Sequence, residues 1–324
     1  MNNLDLKNNN IVEITDKILS DFKECFSNFG YIEHPDVQIS SKIDKSVWLI
    51  GSTISVFKQY LINEKIPDKG YFLIQRCIRT QNLQKITKGE KLDWASYFRS
   101  IGTLSPYSRL SEVGMEIWKF FTQYLKISQN NIKIRVSSND TDLLNIWPTD
   151  IFSNTLEIDS KEPKYYKHKY GMENVFGRNL NFAIRQGNTE NFQDIGNLIV
   201  IEKDNIPIAV ELAFGVSTII ARMNCLDNAI QSSAICSVID YKEKLSYLID
   251  SLAVVIHLMH EGIKPNASNM TGRILRAYIR NVKSYYKEAQ YNLDYICKVA
   301  EQYELQEYLE KTNIYEKING YLQD

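Results

Sequence analysis

The sequence predicts an α+β fold, an antiparallel sheet flanked by helices and followed by a small all-helical domain. Three observations carry this. Residues 71–79 (YFLIQRCIR) contain no helix breaker and are rich in aromatic and branched side chains, and residues 94–104 supply a second strand. Residues 197–202 and 206–214 are two apolar runs joined by Lys203, Asp204 and Asn205, the form of a hairpin. From residue 239 onward the chain reads as helix. The expected organisation is a flexible, asparagine-crowded head at 1–10, a sheet-bearing domain at 11–237 and a helical domain at 238–324.

Composition bounds the function. At 324 residues, 44% hydrophobic and 24% charged, the chain can bury a sizeable core in one large or two modest domains. Its 38 Lys plus Arg nearly balance 39 Asp plus Glu, so a nucleic-acid contact must come from a local patch and not from the overall field. There is no signal-peptide pattern and no apolar run of bilayer-spanning length. A cytoplasmic protein with no membrane partner is the expectation. Cys25, Cys77, Cys225, Cys236 and Cys297 are scattered without close pairing, which argues against a disulfide framework or zinc ribbon and for buried free thiols.

Taken in order, Ile14, Ile18, Phe22, Phe26 and Phe29, with Leu19, recur at helical spacing, and Gly30 is placed to end that helix. Residues 46–50 read as a short apolar strand. Between 71–79 and 94–104 lies a polar loop with Lys85, Lys88, Gly89 and Lys91, longer than a hairpin turn needs. Strand alternation puts Gln75, Cys77 and Arg79 on one face, Ile74, Arg76 and Ile78 on the other, and Tyr97, Arg99 and Ile101 together. Arguments from composition alone favour an ordinary solvated hairpin; a face with arginines at its exit under a lysine-bearing loop also suits a polyphosphate.

Val113, Ile117, Trp118, Phe121 and Leu125 predict a helix facing the sheet. Residues 132–136 alternate as a strand, and 137–142 supply a turn and cap for a helix over 143–147. Residues 148–171 have no period and read as an irregular insertion. In the second strand of the 197–214 hairpin, Pro207, Ala209, Glu211 and Ala213 share a face where small residues flank one acid, open to a flat ligand. The opposite face, Ile208, Val210, Leu212 and Phe214, is core. The plain alternative for Glu211 is an edge carboxylate in water. Gly215 then breaks the strand before a helix over 216–230. Leu248, Leu252, Ile256 and Met259 mark a long helix ended by Gly262. In the next helix, over 272–289, Arg273, Arg276, Arg280, Lys283 and Lys287 fall on one stripe, and Leu275, Tyr278, Ile279, Val282 and Tyr286 on another. His257 and His260 are three apart on a helix but lack a third ligand, so no metal site is expected.

Gln75, Arg76, Cys77, Ile78 and Arg79, then Tyr97, Phe98, Ile101 and Gly102, resemble the strand–loop–strand motif 2 of alanyl-tRNA synthetases, which are class II aminoacyl-tRNA synthetases. The resemblance runs in order along nearly the whole chain. Residues 29–35 resemble motif 1, which implies a dimer interface or core packing, structural roles for His34 and Pro35, and a homodimer as partner expectation. Phe57 and Lys58 fall in register, the 132–147 unit matches, and strand, Gly215 and helix have the shape of motif 3. Near Phe176, Gly177, Arg178 and Asn179 the match keeps only the glycine. Asp250, Gly262 to Pro265, and Gly272 to Arg276 with Ile279 and Arg280, resemble the start of the helical domain that touches the tRNA acceptor stem.

The resemblance implies a class II synthetase-like catalytic domain that uses ATP and Mg2+ to activate a small amino acid, alanine or an analogue. The aminoacyl-adenylate would pass to tRNA, a carrier protein or a small-metabolite acceptor. Charge grows on phosphate oxygens in this reaction, so fixed cations are required. Arg79 stands at the motif 2 arginine and is the expected catalytic and ATP-binding residue. Glu211 stands at the motif 3 aspartate that holds the substrate ammonium, Asn197 at an asparagine that frames the amino-acid pocket, and Gly215 on the ATP side. Thr218 replaces the motif 3 arginine that covers the adenine and terminal phosphate. Arg222, one turn on, is the expected partial substitute. Trp94 and Ala95 replace a histidine pair and Arg99 a glutamate, so the expectation is that either Arg99 and Arg109 take over phosphate binding or the site has lost it. Arg273, Arg276, Arg280, Lys283 and Lys287 become the expected acceptor contact. Within these residues nothing resembles the family's editing domain, with its zinc ligands, or its carboxy-terminal domain, and the expectation is a protein without them. Discrimination would then rest on the pocket, where a methyl group is worth roughly 1–3 kcal/mol. The alternative is a non-catalytic paralogue with a binding or regulatory role. Loss of the motif 3 arginine favours that alternative, whereas Arg79, Glu211 and Asn197 favour an enzyme.

Overall fold

A computed structural model describes residues 11–63 and 65–323, so the head expected at 1–10 lies outside the described residues. In chain order the elements are α1 (Ile11–Asn28), β1 (Ile32–Glu33), α2 (Thr53–Asn63), β2 (Tyr71–Ile78), α3 (Gln81–Lys88), β3 (Tyr97–Pro106), α4 (Leu110–Lys119), β4 (Ile132–Val136), α5 (Thr141–Asn145) and α6 (Thr149–Phe152). They continue with β5 (Leu156–Ile158), β6 (Lys167–Lys169), β7 (Val175–Arg185), β8 (Phe192–Lys203), β9 (Ile206–Gly215), α7 (Val216–Met223), α8 (Ser246–His260), α9 (Met270–Glu288), α10 (Leu293–Tyr308) and α11 (Ile314–Gln323).

Among the described residues one sheet runs in the order β1-β2-β3-β9-β8-β7-β4-β5, with β6 also pairing with β7. The expected antiparallel arrangement holds from β2 through β4. At the edges β1 runs parallel to β2 and β5 parallel to β4, so the sheet is mixed. Each face buries a different apolar set. Ile14, Ile18, Phe22 and Phe26 of α1 join Ile117 and Phe121 against Phe72, Leu212 and Phe214 on one side. Val56, Phe57 and Leu61 of α2 meet Leu73, Cys77 and Leu104 on the other. The β8–β9 turn follows from Asp204 (φ 52°) and Asn205 (φ 63°), two residue types that tolerate the left-handed conformation a type I′ turn requires. Gly30 (φ 84°) ends α1 as expected.

Several expectations are corrected. Residues 46–50 are not a strand, although Ile50 is tied in by its N–H to Ile39 and its carbonyl to the N–H of Ile78. The polar loop is largely the helix α3, because Asn82 and Ile86, one turn apart, bury a common face. The second strand starts at Tyr97 and not at Trp94, since the N–H of Ser96 is taken by Asp250 of α8. Residues 148–171 are not formless: β5 extends the sheet and β6 pairs with β7. Asp140 precedes α5 without a side-chain cap bond, because Asp140 and Asp142 bind Arg178 instead. Helix α7 stops at Met223, where Cys225 turns left-handed (φ 56°). Cys225 is also an exposed thiol, whereas Cys25, Cys77 and Cys297 are buried.

The helical region packs directly on the β2–β3 hairpin. Ile78, Ile86 and Tyr97 share one apolar cluster with Leu248, Leu252, Leu275 and Tyr278. A buried polar joint pins it: Asp250 accepts the Ser96 N–H (2.6 Å), the Ser96 hydroxyl (2.6 Å) and the Asn82 amide (3.1 Å), and the Tyr278 hydroxyl donates to Ser96 (3.0 Å). Burial lifts the Asp250 carboxyl to about 6 against these lowering hydrogen bonds. Glu261 accepts the backbone N–H groups of Ile39 and Ser40. His257 lies between the hydroxyls of Tyr308 (2.6 Å) and Tyr303 (3.0 Å), stacked on Tyr97, and burial keeps it neutral. His260 meets Glu304. Among the described residues no helix is long and apolar enough to cross a membrane.

Candidate active site

A cleft of about 610 Å³ opens on the α2 side of the sheet, between α2 and the segment that follows β6. Strand alternation decides which residues see it. The pairs Gln75–Ser100, Ser100–Gly215, Gly102–Ala213, Leu104–Glu211, Asn197–Ala213 and Asn181–Asn197 all place their members on that face. Ser100, Ala213 and Gly215 make a flat floor of small residues, and Gly102 beside them lies under α2. At Gly102 a Cβ would run into the Leu212 carbonyl and the Thr53 hydroxyl, so the first turn of α2 rests directly on the sheet. Gly215 closes β9, and its Cβ position lies 3.2 Å from the Thr218 hydroxyl.

Arg79 and Glu211 face this cleft from opposite ends of its floor. Arg79 leaves the end of β2 with its N–H on the Ser96 carbonyl (2.9 Å), and its guanidinium lies over the Phe98 ring at 4.1 Å. Its side chain reaches solvent at the cleft mouth, and among the described residues no carboxylate pairs with it. Desolvation by the packed walls lowers its pKa, yet an arginine stays charged. Trp94 lines the same end, 37% exposed.

Glu211 is no edge carboxylate: it is 2% exposed and accepts a 2.7 Å hydrogen bond from Tyr170. Burial pushes its carboxyl up to about 7, against the lowering effects of the Tyr170 bond and the Lys58 charge. Lys58 itself is held by Asp44 (2.8 Å) and the Ser46 hydroxyl (2.8 Å). Asn197 donates its amide to the Asn181 carbonyl oxygen. Asn181 is 5% exposed, and its Nδ2 has no protein partner. A buried donor left this way costs about 1–3 kcal/mol. Beside it Asp194 is engaged by Arg135 (2.6 Å) and Tyr165 (2.6 Å).

Three expected phosphate contacts are elsewhere. Arg99 points to the opposite face, opposite Arg76, and pairs with Glu307 of α10 at 2.9 Å. Arg109 turns under the sheet beyond β3 and is buried against Glu112 (2.9 Å), Glu116 (2.6 Å) and the Lys69 carbonyl. Arg222 is buried behind Trp94, 5.2 Å from its ring, and does not line the cleft. Its pKa is lowered by burial, with Asp93 and Asp194 opposing. Thr218 does line the cleft. On α9, Arg273, Arg276, Arg280 and Lys287 are exposed and Lys283 half-buried; no acid pairs with any of them among the described residues. Leu275, Tyr278 and Val282 are buried beneath the stripe.

Sequence reasoning missed Tyr170, Asn181 and Asp194. Tyr170 came from a stretch without a period. Asn181 and Asp194 carried a usable signal, polar residues within otherwise apolar strands, but only pairing shows which face they share.

The described residues form a nine-stranded mixed sheet flanked by helices with a helical region behind it, and its β2–β3 hairpin and the strand–glycine–helix of β9 and α7 are the parts that resemble motifs 2 and 3 of the class II aminoacyl-tRNA synthetases. The curated proteins the chain matches are alanine–tRNA ligases. It is 26% identical over 140 residues to that of Caldicellulosiruptor saccharolyticus, which is 42% of this chain and 16% of the relative. It is 28% identical over 138 residues to that of Thermoanaerobacter sp. (42% and 15%), and 26% over 170 residues to that of Buchnera aphidicola (50% and 19%). The matched stretch thus spans under a fifth of these relatives. No family model matches. Among solved structures, asparaginyl-tRNA synthetase from Pyrococcus horikoshii complexed with asparaginyl-adenylate has a TM-score of 0.41 at 9% identity, covering 69% of this chain and 67% of that one. A likeness of shape at that level carries no weight by itself.

Proposed function

We propose that the cleft binds ATP and a small amino acid, alanine or an analogue, joins them as an aminoacyl-adenylate, and passes the aminoacyl group to tRNA, a carrier protein or a small metabolite. The observation that carries this reading is that an unpaired cation, Arg79, and a buried acid, Glu211, face one cleft across a floor of small residues, with Asn197 on the same face. The homology to alanyl-tRNA synthetases supports an aminoacylation-related role. In the proposed step a carboxylate oxygen of the amino acid bonds to the α-phosphorus and pyrophosphate leaves. Arg79 offsets the charge that grows on the phosphate oxygens. Glu211 receives the substrate ammonium, and the arriving cation favours its ionised form. Gly215 lets the nucleotide approach the floor, and the free face of Trp94 offers the adenine a stacking surface.

Among the described residues no three His, Cys, Asp or Glu side chains gather to hold a metal. Glu211 and Asp194, the acids lining the cleft, are engaged by Tyr170 and by Arg135 with Tyr165. Magnesium therefore belongs to this reading as a companion of the ATP phosphates, with no resident protein cage. In the same reading, residues 11–237 are catalytic, residues 238–324 meet the acceptor through the α9 stripe, the motif 1 segment pairs two copies, and the protein acts in the cytoplasm.

The positions of Thr218, Arg99 and Arg109 favour a second reading, a non-catalytic paralogue that keeps the pocket for binding. ATP–pyrophosphate exchange across the twenty amino acids separates the two. Exchange with one small amino acid supports the enzyme, and saturable amino-acid binding without exchange supports the paralogue.

A further inference from the structure

The two ends of the cleft differ in what they leave unsatisfied. At the Arg79 end the free group is a charge at the mouth. At the Glu211 end it is an uncharged amide inside the wall. Asn181 lies on β7, two strands from Glu211 across β8, and it is 5% exposed and lines the cleft. Its carbonyl oxygen is taken by Asn197, while its Nδ2 finds no acceptor in the protein. On the next same-face position of β7, the Asn179 carbonyl oxygen is also without a partner. An alanine pocket needs no such wall. For an apolar side chain, aliphatic residues would serve and would leave no donor stranded.

Resting on the activation reading above, we propose that Asn181 is a specificity residue and that the preferred amino acid carries a short, neutral, oxygen-bearing side chain, a hydroxyl or a primary amide, in place of a methyl group. The spacing suits this. Alternate strands lie about 10 Å apart, and Asn181, level with Ala213 through Asn197, sits one same-face position along from Glu211, so the two backbones are about 12 Å apart and both side chains rise from the same face. What remains between carboxylate and amide accommodates an amino acid whose ammonium meets one and whose side-chain oxygen meets the other. The two acids that line the cleft, Glu211 and Asp194, select against a carboxylate side chain. A site built around a buried donor rejects the analogue that cannot satisfy it more sharply than an apolar pocket rejects an extra hydroxyl.

The test is pyrophosphate exchange with the purified full chain, comparing alanine and 2-aminobutyrate with serine and asparagine. Serine or asparagine is expected to exceed both apolar amino acids in kcat/KM by about tenfold or more, the yield of one satisfied hydrogen bond. Asn181→Ala should bring the polar and apolar groups to within about twofold while leaving the KM for ATP unchanged. The comparison in the unsubstituted protein involves no mutation, so misfolding of the variant cannot mask the answer. Alanine equal to or better than serine and asparagine overturns the Asn181 assignment and leaves activation standing. Retained polar preference in folded Asn181→Ala also overturns it. No exchange with any amino acid removes the activation reading and this inference with it.

Discussion

The two faces of the β2–β3 hairpin treat their arginines in opposite ways. On the cleft face Arg79 stands on Phe98 with no carboxylate partner. On the other face Arg76 pairs with Asp36 and Arg99 with Glu307, which belongs to the helical region. The same strands thus use two cations to hold the molecule together and leave a third, Arg79, without a carboxylate partner at the cleft. An arginine count therefore overstates the phosphate site: residue type gives the charge, and the strand face decides whether that charge is available.

Arg79→Ala removes the cation that the cleft face leaves without a carboxylate partner. Pyrophosphate exchange should fall a hundredfold or more, on the order of 3 kcal/mol for a lost preorganised charge partner, with little change in thermal stability. An active variant removes Arg79 from the mechanism.

Glu211→Gln tests the far end of the cleft and should raise the KM for the amino acid tens of times more than the KM for ATP. Its pH dependence has a defined sign. In the free protein the carboxyl titrates near 7, so amino-acid affinity should strengthen as pH rises from about 6 to about 8, and Glu211→Gln should flatten that rise. For stability the sign is reversed. The unfolded carboxyl ionises near 4.5 and the folded one near 7, so its burial costs stability as pH rises from about 4.5 to about 7 and no further beyond. Denaturant titrations of wild type and Glu211→Gln across that window measure the difference. A KM for ATP that rises equally would point to a phosphate or metal role instead.

Arg99→Ala addresses the tied face. It leaves Glu307 buried beside one lost partner and should destabilise by about 1.5–3 kcal/mol in urea, with the KM for ATP unchanged. A raised KM for ATP would return Arg99 to the nucleotide site.

The smallest effect concerns the α9 stripe. If it follows a nucleic-acid backbone, tRNA binding should weaken with salt, and replacing two of the five cations should reduce the log–log slope by roughly 1.5–2. Matched titrations with tRNA and an acidic carrier protein at one ionic strength decide between acceptors. Loss of neither would make the stripe a solvated face.

Much of this site was legible before the fold was known. Alternation alone grouped Glu211 with Ala209 and Ala213 and separated Arg76 from Arg79, because period two is a property of the strand itself. Arg99 was read on the correct side with Tyr97 and Ile101, yet its role was misassigned, because its partner Glu307 lies 208 residues away and only packing brings it near. Tyr170 was hidden for the same reason. It follows a three-residue strand too short to show a pattern, and its meeting with Glu211 is a tertiary event. The helix α3 was missed because its apolar face rests on only two residues three apart, Leu83 and Ile86, in a stretch of eight rich in lysine and glutamine, and that face is buried only by the helices behind it.

The joint at Asp250 has a consequence for how the molecule comes apart. Its three donors arise from α3 and the approach to β3, and the apolar cluster around it draws on both the hairpin and the helices. Without residues 238–324 the Ser96 N–H and hydroxyl would lose Asp250, the Asn82 amide would keep only the Trp94 carbonyl, and Ile78, Ile86 and Tyr97 would be bared to water. The part carrying the cleft is therefore not thermodynamically autonomous. The β2 strand that leads to Arg79 and the helices that present the basic stripe should melt as one cooperative unit, so that a perturbation that loosens α8 would reach the cleft mouth without touching it.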